Sequence, residues 1–274
     1  PDDIVHKFQD IFYKKDGCEI REKNHKGFFR FILSKYRHIV YPVYNHVHMD
    51  VKVKKKVNHK ATISVRFDKL SDLPYQFYEA KKNKLRFIIY NIHIILAKKI
   101  DGEPTKRVNH RNLLVFDLNK NTYYRYDPHG WAGTLGAQKF EQIEETIEET
   151  VIDSFKTAEL NEKVKNSPNN EKIKLFLHIP SIIPSPIIIN EHGPQHYNKI
   201  KAKVGKCQTW CLAYMHHRLH YPNKTEFEIN YMLGAGSNHL ASEYIVKYII
   251  FLMNNIYFHK FFDSKARQLN EQRV

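Results

Sequence analysis

Asn109-His110-Arg111-Asn112-Leu113-Leu114-Val115-Phe116-Asp117 is followed, after Asn119-Lys120-Asn121, by Thr122-Tyr123-Tyr124-Arg125-Tyr126-Asp127-Pro128-His129-Gly130. Two short runs of β-branched, aromatic and aliphatic residues flank a polar turn, and a second turn closes the second run. This pattern specifies an antiparallel hairpin. Centred on Asn119–Asn121, such a hairpin sets position 110 opposite about 129. His110 and Asp127 are therefore expected at one sheet edge, two residues out of register.

Upstream, Leu85 to Lys99 is another β-branched and aromatic run, ending at the turn Asp101-Gly102-Glu103-Pro104, so the expected unit is a three-stranded meander. Downstream, Phe140, Ile143, Ile147, Val151 and Phe155 recur at helical spacing, with Glu141, Glu144, Glu145, Glu148 and Glu149 on other faces. Lys172 to Ile189 reads as a further buried strand with a Pro-broken continuation. Cys207 to His220 reads as a helix stopped by Pro222-Asn223. Thr225 and Glu228 have capping-box spacing, and a long apolar helix is expected from about Leu240 to Phe258. Strands in the middle with helices around and after them give an α+β class.

The first 80 residues are basic and aromatic, and Ile4, Phe8, Ile11 and Phe12 suit a short helix. They are expected to form an accessory, substrate-positioning region outside the catalytic sheet, with residues 81–274 as the catalytic domain. Deleting them should then leave the remainder folded. Lys52 to Val57 alternates like a strand, and its lysines suit either contact with phosphates or, as the preferred reading, a solvated edge. His46 and His48 are read as two ordinary polar histidines, because no third ligand stands near them.

Composition narrows the function classes. The chain has 274 residues with 42% hydrophobic and 13% aromatic side chains, enough to fill a core. Three Cys leave no even disulfide framework, which points to a reducing compartment, cytoplasm or nucleus. No apolar run reaches about 18 residues; the nearest, Tyr244 to Phe258, is broken by Lys247, Asn254 and Asn255, so no membrane span is expected. The chain starts at Pro1 and is expected to be a piece of a longer protein. Forty-four Lys and Arg against 29 Asp and Glu give +15, enough to attract acidic partners, nucleic acid among them. The same Lys, Asn and Ile abundance also fits an A/T-rich coding sequence, with no functional meaning.

Cys207 precedes an apolar helical stretch. A thiol at a helix N-terminus faces unpaired amides and the positive end of the helix dipole, which favour thiolate. A cysteine nucleophile also needs an imidazole, and a carboxylate or amide to orient it; His110 and Asp127 match those roles. Cys211 lies one turn on, about 40° round the helix, and reads as a core thiol. A zinc set of Cys207, Cys211, His216 and His220 fails, because His216 and His220 lie about 140° and 180° from Cys211 and cannot converge with it. His216, His217 and His220 are expected on the surface at the helix C-terminus.

The His110 and Asp127-Pro128-His129-Gly130 segments, Gly193-Pro194-Gln195 and Gly205-Lys206-Cys207-Gln208-Thr209-Trp210-Cys211 together resemble papain-like cysteine peptidases of the adenovirus-protease and SUMO-protease kind, most of all members from giant and other large DNA viruses. The likeness covers roughly residues 85–235. It implies a papain-like core with His110 as general base, Asp127 orienting it, and Cys207 attacking the carbonyl. Gln195 and the Cys207 backbone N–H would donate to the oxyanion. SUMO proteases carry that Gln only a few residues before the nucleophile, whereas Gln195 stands twelve before Cys207. No cofactor or metal is implied.

The implied activity is cleavage after glycine in ubiquitin or a ubiquitin-like protein. Alternatives are maturation of a viral polyprotein at Gly-Gly-type sites, acyl transfer on the same scaffold, or a basic nucleic-acid-binding module. The cytoplasm or nucleus of a host cell, or the virion, is the expected location. Trp131 and Trp210 would wall a narrow substrate tunnel; the other reading makes both core residues.

Overall fold

The computed structural model describes residues 22–55, 62–130, 137–157, 184–187, 192–197 and 206–254. In chain order its elements are α1 (Glu22–Lys35), β1 (Val40–Tyr41), β2 (His46–Lys55), β3 (Thr62–Phe67), α2 (Leu73–Lys82), β4 (Phe87–Ile100), β5 (Lys106–Asp117), β6 (Thr122–Tyr126), α3 (Ala137–Lys156), β7 (Ser185–Pro186), α4 (Pro194–Tyr197), α5 (Lys206–His220), α6 (Glu226–Met232) and α7 (Asn238–Asn254). The fold is α+β, with a mixed sheet flanked by helices, as a papain-like core requires. The chain divides into two compact units: residues 38–127 with 131–191, and residues 1–37 with 128–130 and 192–274.

The first unit is built on the sheet, in the order β3-β2-β4-β5-β6-β7 with β1 also pairing β4. The pairs β2–β3, β4–β5 and β5–β6 are antiparallel, whereas β1–β4, β2–β4 and β6–β7 are parallel. Leu113 pairs with Tyr126 and Asp117 with Thr122, the register expected from the turn. That turn is fixed by Asp117, whose Oδ1 accepts the amides of Asn119 and Lys120, while Arg86 grips the same carboxylate at 2.9 Å. Asn121 supplies the left-handed backbone conformation (φ 53°) that brings the chain back.

Alternation along these strands sends Val47, Met49, Val51, Val53, Ile88, Tyr90, Ile92, Ile94, Leu114 and Phe116 to one face. There they form a core with Phe77 of α2 and Ile143, Ile147, Val151 and Phe155 of α3. Phe77 meets Phe155 edge-on, with ring centroids 5.5 Å apart.

Two expectations are corrected here. Residues 46–55 and 62–67 are strands of the same sheet as β4–β6, so this part of the first 80 residues does not stand apart from it. Their apolar alternation, Val47 to Val53, needs the α2/α3 core to be buried. Deleting residues 1–80 is accordingly expected to leave an insoluble or unfolded remainder, checked by circular dichroism and solubility. Second, β2 lies between β3 and β4 and is not an edge strand. Of the strand expected over Lys172–Ile189, Ser185–Pro186 pairs with β6; positions 172–183 and 188–189 lie outside the described residues. The helix expected near Ile4–Phe12 lies outside the described residues.

The second unit is helical. Residues 207–215 of α5 are buried on every side, which makes α5 its central helix. Arg218, fully buried, closes the α5–α6 turn: its guanidinium donates to the carbonyls of Tyr221, Pro222 and Lys224 and pairs with Glu226 at 3.4 Å. The expected capping box opens α6. Thr225 Oγ1 accepts the Glu228 amide at 3.2 Å, and Glu228 Oε2 accepts the Thr225 amide at 2.7 Å. Thr225→Ala should cost about 1 kcal/mol, read as a lowered urea midpoint at unchanged slope.

His216 and His217 are not on the surface as expected. Both are half-buried; the His216 ring lies against Tyr36, Tyr248 and Phe251, and Tyr244 bonds His217 at 3.2 Å. His220 is exposed and bonded to the Tyr36 hydroxyl at 3.0 Å. An α5 buried all round brings its last turn in among the rings of Tyr36 and of α7. Burial, reinforced by Lys35, His217 and His220, pushes the His216 pKa down to about 4 from its usual 6.5. The folded state thus keeps His216 neutral where the unfolded chain takes up a proton. The stability this provides is present above pH 6.5 and lost as pH falls towards 4, by roughly 2–3 kcal/mol. Urea titrations at pH 7 and 4.5 should show a smaller loss for His216→Phe than for the parent; equal losses would contradict the assignment.

Candidate active site

His110 and Asp127 come together as the hairpin register requires. His110 sits on β5, and Asp127 follows the last residue of β6. His110 Nε2–H donates to Asp127 Oδ1 at 2.9 Å, and both residues are about 8% exposed. The carboxylate holds the Nε2 side of the ring and so fixes its orientation.

Around this pair lies a network that reading the sequence missed. Arg125 is two residues before Asp127 on the same face of β6, with its side chain 1% exposed. Its Nη1 donates to Asp127 Oδ2 at 3.0 Å and to Asn112 Oδ1 at 2.6 Å, and its Nε donates to Glu144 Oε1 of α3 at 2.6 Å. Asn112 is also on this face, and its amide donates to the Arg111 carbonyl at 2.8 Å. Burial alone would lower the Arg125 pKa, but Glu144 and Asp127 outweigh it and hold the guanidinium above its usual value. One guanidinium thus stands between two carboxylates, Asp127 and Glu144, behind the His110 ring. The available signal was an arginine at the inward-facing position of a strand otherwise rich in tyrosine.

In the helical unit, Cys207 is the second residue of α5 and 6% exposed. It lies within the first turn, whose amides have no intrahelical acceptor. Cys211, one turn deeper, is 1% exposed; neither cysteine is in a disulfide. Gln195 lies in the four-residue turn α4, which packs on α5. Its backbone N–H donates to the carbonyl of Pro128, the residue after Asp127, at 2.9 Å. Its side-chain oxygen is buried with no partner among the described residues. Gly130 takes the left-handed conformation (φ 79°) that ends the Asp127-Pro128-His129-Gly130 turn.

Trp210 is fully buried and stacked on Tyr244, centroids 5.8 Å apart. It is a core residue and offers no wall to a substrate, which corrects that expectation. Trp131 lies outside the described residues. Among the described residues no group of three or more His, Cys, Asp or Glu is arranged to hold a metal ion, and no helix is long and apolar enough to cross a membrane.

No family model matches the chain, and no curated protein matches it. Among solved structures, the Legionella pneumophila effector protein RavZ, residues 1–487, is similar at 11% identity and a TM-score of 0.33. The match covers 83% of this chain and 61% of that one. A likeness at this level establishes neither family nor function.

Proposed function

We propose that this chain is a cysteine peptidase or isopeptidase that hydrolyses the bond after a glycine at the tail of ubiquitin or a ubiquitin-like protein. The observation that carries the catalytic part is the buried His110–Asp127 pair at 2.9 Å, in the strand order and register that supply a general base with its orienting carboxylate. A thiol in the first turn of α5 and the order His, Asp, Gln, Cys along the chain support it. The glycine and the ubiquitin-like partner rest on the resemblance of the motifs.

In the proposed reaction the Cys207 thiol passes its proton to His110 Nδ1, and the thiolate attacks the scissile carbonyl. The tetrahedral oxyanion is held by the Gln195 side-chain amide and the Cys207 backbone N–H. Imidazolium Nδ1–H then protonates the departing amine, leaving an acyl-thioester. Water, deprotonated by His110, attacks that thioester and returns the free thiol. Asp127 stays ionised throughout and holds Nε2–H.

The test is a panel of ubiquitin-like proteins carrying a thiol-reactive group in place of the terminal carboxylate, with adducts located by peptide mass mapping. One adduct at Cys207 with at least one member is the expected result. Labelling at Cys211 or Cys18, or by no member, would overturn the reading.

A further inference from the structure

The sheet face opposite the α2/α3 core carries a patch that the proposed chemistry does not use. Register places Arg66, Asp50, Ile95 and Asn109 in one row across β3, β2, β4 and β5. Ser64, Lys52, Ala97 and Arg107 form the next, and Lys54 and Lys99 lie side by side beyond it. Arg66, Lys52, Lys54, Lys99 and Arg107 are all exposed. Among the described residues none of the five has a salt-bridge partner. Four lysines elsewhere do have one: Lys82 with Glu79, Lys106 with Glu103, Lys224 with Glu228, and Lys247 with Glu243. Asp50 is the one carboxylate in these rows.

This arrangement costs stability. Like charges in directly paired positions, as at Lys54 and Lys99, are unfavourable in a sheet. Protection of a sheet edge does not explain the β2 lysines, because β2 has a strand on either side. Strands about 4.8 Å apart, with alternate residues about 6.7 Å apart, set the five cations out as a flat lattice.

We infer that this face binds the phosphodiester backbone of a nucleic acid duplex, without sequence preference. Protein–protein interface cores are rich in aromatic residues and poor in lysine. The patch has the opposite composition, with half-buried Ile95 and Ala97 as the apolar members of these rows. Single strands are held by stacking on aromatic rings, and the rows contain none. Membrane-surface binding through an amphipathic face uses Trp, Phe or Leu to enter the lipid, also absent. A strongly positive, polar surface is what nucleic-acid backbones meet.

The experiment is fluorescence anisotropy of the full chain with a labelled DNA duplex of mixed sequence, over a salt series. Five phosphate contacts give a slope of log Kobs against log salt of about −4.5. The triple variant Lys52→Ala/Lys54→Ala/Arg107→Ala should bring the slope to about −2 and weaken binding about tenfold or more near 0.1 M salt. Lys82→Ala/Lys247→Ala should leave both unchanged. Absence of duplex binding at low salt, or an unchanged slope in the triple variant, would overturn the inference. Displacement of the duplex by polyglutamate at equal charge concentration would overturn it in favour of an acidic protein. Retention on phosphatidylserine vesicles without duplex binding would overturn it in favour of a membrane surface.

Discussion

Cys207→Ala should lower turnover of a glycine-ended ubiquitin-like substrate by on the order of 10⁴-fold or more, with the fold intact. In the proposed reaction the acyl intermediate forms on the Cys207 sulfur, and trimming a small side chain that is 6% exposed removes little packing, about 1 kcal/mol. His110→Ala should be nearly as damaging, because members of a cooperating set lose most of their joint benefit together. Asp127→Asn should keep measurable activity, since an amide oxygen can still accept Nε2–H. Cys211→Ala should cost stability alone, on the order of 1 kcal/mol. A Cys211 variant that is folded but inactive, beside a Cys207 variant that still turns over, would show that the nucleophile lies one helical turn deeper. Initial rates on a cleavable tail substrate, with melting curves for every variant, decide it.

The second large effect is on stability. Arg125→Met removes a buried guanidinium and leaves the Asp127 and Glu144 carboxylates facing each other across the vacated site. Breaking one side of a buried ionic cluster typically costs about 3–5 kcal/mol, which urea titration should register. Arg125→Lys should recover part of that loss: an ammonium restores the charge, but it cannot reach Asp127, Asn112 and Glu144 with the geometry of a planar fork. The same variants should lower kcat more than they raise KM, because Asp127 loses the partner that holds its second oxygen. An Arg125→Met protein within about 1 kcal/mol of the parent would mean that the network is idle.

The contrast between Arg125 and its neighbours shows what could be read in the chain. The β4–β5–β6 meander was legible because each strand is an apolar run bounded by a strong turn signal. One four-residue connection then fixed which residues oppose each other. The His110–Asp127 pair follows from that arithmetic. The α3 helix and the capping box at Thr225 were legible from local spacing alone. Not legible was the parallel pairing of β2 with β4, which joins positions more than forty residues apart and leaves no local mark. The Arg125–Glu144 bond likewise links a strand to a helix, and only the inward-facing position of an arginine hinted at it. Trp210 and His216 were misplaced for a common reason. A helix buried on all sides has no polar stripe to show which side chains meet solvent, so one turn of α5 reads much like another.

The central claim is that Cys207 acts as a thiolate paired with His110. The measurement that tests it most directly is the rate of iodoacetamide alkylation at each cysteine as a function of pH, resolved by peptide mass mapping. The account predicts rapid alkylation of Cys207 at pH 6, with Cys211 and Cys18 slow, and loss of the pH 6 reactivity in His110→Ala. A Cys207 rate that rises only near pH 8.5, as for an ordinary thiol, and that does not change in His110→Ala would contradict it.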